Sequence, residues 1–141
     1  VQFFYVKKKK FEQINMFDSN FFFYWEDVDF SKRIELKKKK IYLNLNIKAN
    51  HYNGESSSPT LKGLYIRISN FKFGEYLFSY KYKKLKMIKI IREPISSILL
   101  FLYYMIIFNK KKALEKAFNL FGIIKFFKFL LFEKIKIKDY L

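Results

Sequence analysis

Residues 94–108 read PISSILLFLYYMIIF, fifteen consecutive residues without a charge, in a chain where lysine is otherwise scattered through almost every segment. Such a run must lie against another surface, because each buried Leu, Ile or Phe gains on the order of 1.5–3 kcal/mol over its exposed state. It falls short of the roughly 20 apolar residues that a bilayer-spanning helix needs. The run is therefore read as the second half of an interfacial or re-entrant helix from about Leu85 to Phe108, with Lys86, Lys89 and Arg92 on one face of its first half. Pro94 either opens a new helix at its first turn or kinks a continuous one. The block KAFNLFGIIKFFKFLLF repeats the theme of apolar residues with interspersed Lys, and no strand alternation is found after Pro59. Residues 61–141 are expected to be an amphipathic helical region of three or four helices, with breaks near Gly74 to Lys84 and near Asn109.

The first sixty residues have a different texture. QFFYV at 2–6 has strand length, and KKKKFEQINMF reads as a short helix with Phe11, Ile14 and Phe17 inward. Asp18, Ser19 and Asn20 make a turn before the aromatic run FFFYW. From Glu26 to about Lys38 apolar residues recur at Val28, Phe30, Ile34 and Leu36, with acids in the first turn and lysines in the last, the charge order that the helix macrodipole favours. IYLNLNIKANHY alternates apolar and polar residues as one or two short strands, and NGESSSP is a loop. The fold class expected is α+β: a few short strands and helices in residues 1–60, followed by the helical tail.

The sequence carries 29 Lys and Arg against 12 Asp and Glu, a formal charge of +17. A charge of this size points to nucleic acid or to an anionic membrane face. Only Arg33, Arg67 and Arg92 are arginine, whereas readers of phosphate and base edges favour the Arg fork. Lys, Phe, Ile, Asn and Tyr are abundant while Ala and Gly are scarce, as AT-rich codons would impose. No nucleic-acid partner is expected, and a membrane surface fits the lysine-studded helices better, since lysine stems lie along apolar surface with their ammonium groups near lipid phosphates. Cysteine is absent, which excludes disulfides and thiolate metal sites and suits a reducing compartment.

The stretch most suggestive of chemistry is FDSNFFFYWEDVDFSKRI, residues 17–34. On a helix Glu26 and Asp29 share a face while Asp27 points about 100° away, so the acids can serve two roles or simply complement the helix dipole. His51, the single histidine, precedes Asn53-Gly54 and serines 56–58.

These residues resemble the acceptor-side motif of family-2 glycosyltransferases of GT-A type, especially rhamnosyltransferase-like enzymes. The matching features are Phe17-Asp18, Phe21 to Tyr24, Trp25, Glu26-Asp27-Val28-Asp29 and Arg33, then Lys40, Ile41-Tyr42-Leu43 and His51 to Gly54. The resemblance implies that residues 1–60 are the acceptor-side portion of a GT-A domain, in a C-terminal fragment of an inverting enzyme of cell-surface polysaccharide synthesis. Asp27, or else Glu26, would be the general base that takes the proton of an acceptor hydroxyl. Trp25, Tyr24 and Asp29 would bind the acceptor, a glycan or polyprenyl-linked sugar. His51 would help hold a divalent cation, Mg or Mn, whose other ligands lie in the nucleotide-binding half. That half binds the nucleotide-sugar donor and has no counterpart here, so the chain alone is expected to be inactive. The implied location is cytoplasmic, on the inner face of the cell membrane. Lysines 37–40 stand where the family has a glycine turn. The alternative is a non-catalytic, basic amphipathic membrane-binding protein whose acids are only helix caps.

Overall fold

The computed structural model describes residues 6–42 and 60–132. Five helices follow in order: α1 Lys8–Gln13, α2 Glu26–Leu36, α3 Leu61–Lys81, α4 Met87–Ile106 and α5 Lys110–Phe132. The described residues contain no strand. The expected α+β class is thus corrected to all-α. The periodicity of two that suggested strands falls mainly on residues 2–5 and 43–52, outside the described residues, while Ile41 and Tyr42 lie exposed in irregular chain.

The helix ends follow local chemistry. Thr60 caps α3 by accepting the Gly63 amide at 3.1 Å, and Asn109 caps α5 by accepting the Lys112 amide at 3.2 Å, each satisfying an amide that the first turn leaves without a partner. The α2 exit, among the lysines 37–40 that make it without glycine, turns at Lys38 in the left-handed region (φ 51°). Of the expected breaks, the one near Asn109 falls between α4 and α5, and the one from Gly74 to Lys84 falls at its far end, after Lys81; Gly74 lies within α3 and Gly122 within α5. Both glycines allow close approach. A Cβ on Gly122 would lie 2.5 Å from the Ser69 carbonyl oxygen, and one on Gly74 would lie 2.7 Å from the Trp25 ring.

Helix α5 packs against both α3 and α4. The main core joins Phe73, Tyr76 and Leu77 of α3 to Ile123 and Phe126 of α5, with Phe21 from the loop before α2. A smaller cluster of Ile14, Phe30 and Ile34, with Phe11 against it, holds α1 to α2. Pro94 lies inside a continuous α4, where its missing N–H leaves the Ile90 carbonyl without its helical donor.

Candidate functional site

Two places could carry function: the acid-rich opening of α2, and the outer face of α4. At α2 the chain enters through two strained residues, Phe23 and Trp25, both at φ 74°, a conformation that bulky L-residues rarely adopt. What holds it is aromatic packing. Tyr24 and Trp25 each meet Phe71 with centroids 5.7 Å apart, and Trp25 also meets Phe78 at 5.3 Å. Trp25 lies against the main core and its indole N–H is buried without a hydrogen-bond partner.

The three acids of the first turn separate sharply. Asp29 is fully buried: its Oδ2 accepts Arg33 Nε at 2.8 Å, and its Oδ1 accepts Lys81 Nζ at 2.7 Å and the Tyr82 hydroxyl at 2.8 Å. Lys81 also donates to Asp18 Oδ2 at 2.7 Å, and Arg33 donates to the carbonyls of Ile14 and Met16. Two carboxylates and two cations therefore balance in the interior, tying the α1–α2 unit to the end of α3. Burial acts to raise the Asp18 carboxyl, but hydrogen bonds from Lys81 and Asn20 outweigh it and hold the group below its ordinary value. The Tyr82 hydroxyl is pushed well up, first by burial and then by the adjacent Asp29 charge.

Asp27 and Glu26 stay outside this network. Asp27 is half-buried, with Oδ1 accepting the Val28 amide at 2.8 Å. Glu26 is also half-buried, with Oε2 enclosed and lacking a hydrogen-bond partner. The structure thus brings Tyr24, Trp25, Glu26 and Asp27 together at one helix opening, and turns Asp29 inward among protein donors. His51 lies outside the described residues. Among those residues no three His, Cys, Asp or Glu side chains converge to hold a metal ion.

Helix α4 presents three faces about a third of a turn apart, at roughly 100° per residue. The first, half-buried or buried, contains Ile90, Pro94, Ser97, Phe101 and Tyr104. The second is charged: Lys89 Nζ reaches Glu75 Oε1 at 2.6 Å, and Glu93 Oε2 meets Lys72 Nζ at 3.2 Å, both across to α3. The third has no partner among the described residues. Ile88, Ile91, Ile95, Leu99, Leu102 and Ile106 form a continuous row, each between 51% and 75% exposed. At 1.5 Å per residue the row is about 27 Å long. Lys86 and Arg92 lie exposed beside its start without a described ion pair, and Lys110 to Lys112 follow its end. No helix among the described residues is long and apolar enough to cross a membrane.

Sequence reasoning found the uncharged half of this row but missed its first turn, because Lys89, Arg92 and Glu93 mask Ile88 and Ile91 in a linear reading. The signal was there at helical spacing, in the steps 88, 91, 95, 99, 102 and 106.

Comparison with protein-family models, with curated proteins and with solved structures gives no match to this chain. The resemblance to family-2 glycosyltransferases is accordingly corrected: no relative supports it, and the described helices, with no strand among them, are unlike a piece of the α/β GT-A fold.

Proposed function

We propose that this chain is a basic, amphipathic membrane-surface protein that lays α4 in the plane of an anionic bilayer. The observation that carries the reading is the unpartnered apolar row of α4, which has cations at both ends. An exposed row of this kind marks an interaction surface rather than ordinary scatter. Charge selects the occupant. Lys110 to Lys112 open α5, the end at which positive charge opposes the helix dipole, so their placement costs helix stability and suits a phosphate-bearing surface at the end of α4. The cytoplasmic leaflet, with its anionic lipids, has the required sign.

Magnitudes predict how salt should act. The six residues are each still more than half exposed, so completing their burial gives roughly 1–2 kcal/mol each. Lysines near an anionic surface contribute about 1 kcal/mol each and lose it to screening. The two contributions are comparable, so high salt should weaken binding and leave part of it. Co-sedimentation with phosphatidylglycerol-containing vesicles at low and high salt tests this, and a protein that stays in the supernatant at low salt sinks the reading. Ile95→Asp with Leu102→Asp should abolish binding with the fold intact, because both side chains are exposed.

A second reading, inverting sugar transfer by a larger protein containing this chain, is favoured by one observation. Asp27 and Glu26 remain outside the ion-pair network that consumes Asp29, so a carboxylate at the opening of α2 is free to accept a hydroxyl proton. In a protein that also binds a nucleotide sugar, Asp27→Asn should then lower the transfer rate about 10²–10⁴-fold with donor binding retained. Unchanged turnover in both Asp27→Asn and Glu26→Gln would remove this reading.

A further inference from the structure

We infer that the four-charge cluster Lys72, Glu75, Lys89 and Glu93 acts as a rotational lock that keeps the most apolar face of α4 turned outward. This inference rests on the membrane-surface reading for its purpose, though the lock itself can be tested without lipid.

The problem it solves is visible in the helix. The outward face of α4 is aliphatic throughout, whereas the inward face includes the hydroxyls of Ser97 and Tyr104. Burial alone favours turning the more apolar face inward, and a rotation of about a third of a turn would do so. The same rotation would swing Lys89 and Glu93 away from α3 into solvent.

In the observed rotation those two residues close a cross-helix network. Lys72 donates to Glu75 at 2.7 Å and to Glu93 at 3.2 Å, and Lys89 donates to Glu75 at 2.6 Å. Beneath the cluster lies the fully buried Tyr76, with Lys89 Nζ 5.4 Å and Lys72 Nζ 6.0 Å from its ring centroid. Its hydroxyl points at the Lys89 carbonyl, 3.4 Å away. All four charged side chains are between 18% and 24% exposed, shielded enough that their pairing is stronger than that of a fully solvated surface bridge. Packed helices switch between discrete arrangements rather than deforming continuously, so a network specific to one rotation selects one face for display.

The absence of cysteine from the chain makes a single introduced thiol a clean probe. In the full-length protein, Ile95→Cys should react with a thiol reagent at close to the rate of an exposed cysteine. Adding E75Q/E93Q should slow that reaction about tenfold as the population shifts to the rotated state, with helical circular dichroism retained. The charge-swapped set K72E/E75K/K89E/E93K rebuilds the network with signs reversed and should restore fast labelling. Equal or faster labelling in E75Q/E93Q overturns the lock, whether the variant remains folded or loses helix.

Vesicle binding separates the lock from the reading beneath it. E75Q/E93Q carries two fewer negative charges, so simple electrostatics predicts tighter binding to anionic vesicles. The lock predicts weaker binding, with recovery in the charge-swapped set. Slow labelling together with a wild-type protein that ignores vesicles would leave the lock standing and remove the membrane role.

Discussion

Lys81, at the end of α3, ties two segments of the N-terminal part of the described fold to that helix. It is 7% exposed and reaches two buried carboxylates from two different segments, Asp18 and Asp29. Removing one partner of such a buried group leaves uncompensated charge, which typically costs about 3–5 kcal/mol. Lys81→Met should lower the unfolding free energy by about that amount in denaturant titration, whereas Lys83→Met, at an exposed position two residues later, should change it by less than about 0.5 kcal/mol. Half of this network was legible in the sequence, since Asp29 and Arg33 stand at the i,i+4 spacing of a helical ion pair. The other half was not, because nothing local connects Asp29 to a lysine 52 positions away. The sequence reading set Asp29 on the face of Glu26 as an acceptor-binding acid; its carboxylate points into the protein, where Arg33, Lys81 and Tyr82 take both oxygens. Gly122 presents the same limit in another form. A glycine within an apolar helix reads as a break, yet here it is the point where α5 meets the backbone of α3. Gly122→Ala should gain up to about 1 kcal/mol of helix propensity and lose about 1–3 kcal/mol to overpacking against the Ser69 carbonyl. The expected result is a lower thermal midpoint.

At the scale of elements, the helices with strong 3.6-residue periodicity were legible. Helix α2 was expected over 26 to about 38 and spans Glu26–Leu36, and the helix expected from about 85 to 108 spans Met87–Ile106. Helix α1 ends earlier than its apolar pattern suggested, because Asn15 and Met16 take positive φ and turn the chain so that Ile14, Phe17 and Phe30 can meet. What could not be read was the rotation of α4, since its apolar residues cover more than one face and periodicity alone does not say which face is inside. The lysines that open α5 supply a prediction at this scale. A negative charge in the first turn of a helix is stabilising by about 0.3–1 kcal/mol and a positive one opposes the dipole by a similar amount. Lys110→Glu with Lys111→Glu should therefore raise the thermal midpoint while weakening binding to anionic vesicles. A change that moves stability and binding in opposite directions distinguishes a lysine pair kept for an anionic surface from one that merely tolerates its position; loss of both together would point to a structural role.

For the molecule as a whole, net charge and the partly buried ion pairs bear on the same measurement. The Asp18 carboxyl, despite burial, is held below its ordinary value by Lys81 and Asn20; Glu75 is likewise lowered, as the hydrogen bonds of Lys72 and Lys89 outweigh its burial. A depressed carboxylate contributes stability that is complete above its unfolded pKa, near 4, and is lost as pH falls through the folded value. Lys72 has the opposite sign. Burial opposes its charge, but Glu75 and Glu93 outweigh burial and raise it, so its contribution is complete below about pH 10 and is lost as pH rises through the folded value. Stability should accordingly be flat from about pH 5 to 9.5 and fall on both sides. The acid side should fall more steeply for a second reason. Protonating the 12 acids leaves the 29 Lys and Arg charges without counter-charge along the chain, and self-repulsion then favours expansion. Salt separates the two causes, because it screens long-range repulsion over a Debye length of about 10 Å at 0.1 M but cannot restore a carboxylate that has taken up its proton. Urea midpoints measured from pH 2.5 to 7, each with and without added salt, should show the acid loss partly recovered by salt below pH 4 and no salt-dependent gain of comparable size at pH 7. Full recovery at low pH would mean that repulsion alone drives acid unfolding and that the Asp18 and Glu75 pairs contribute little; no recovery would mean that the pairs dominate.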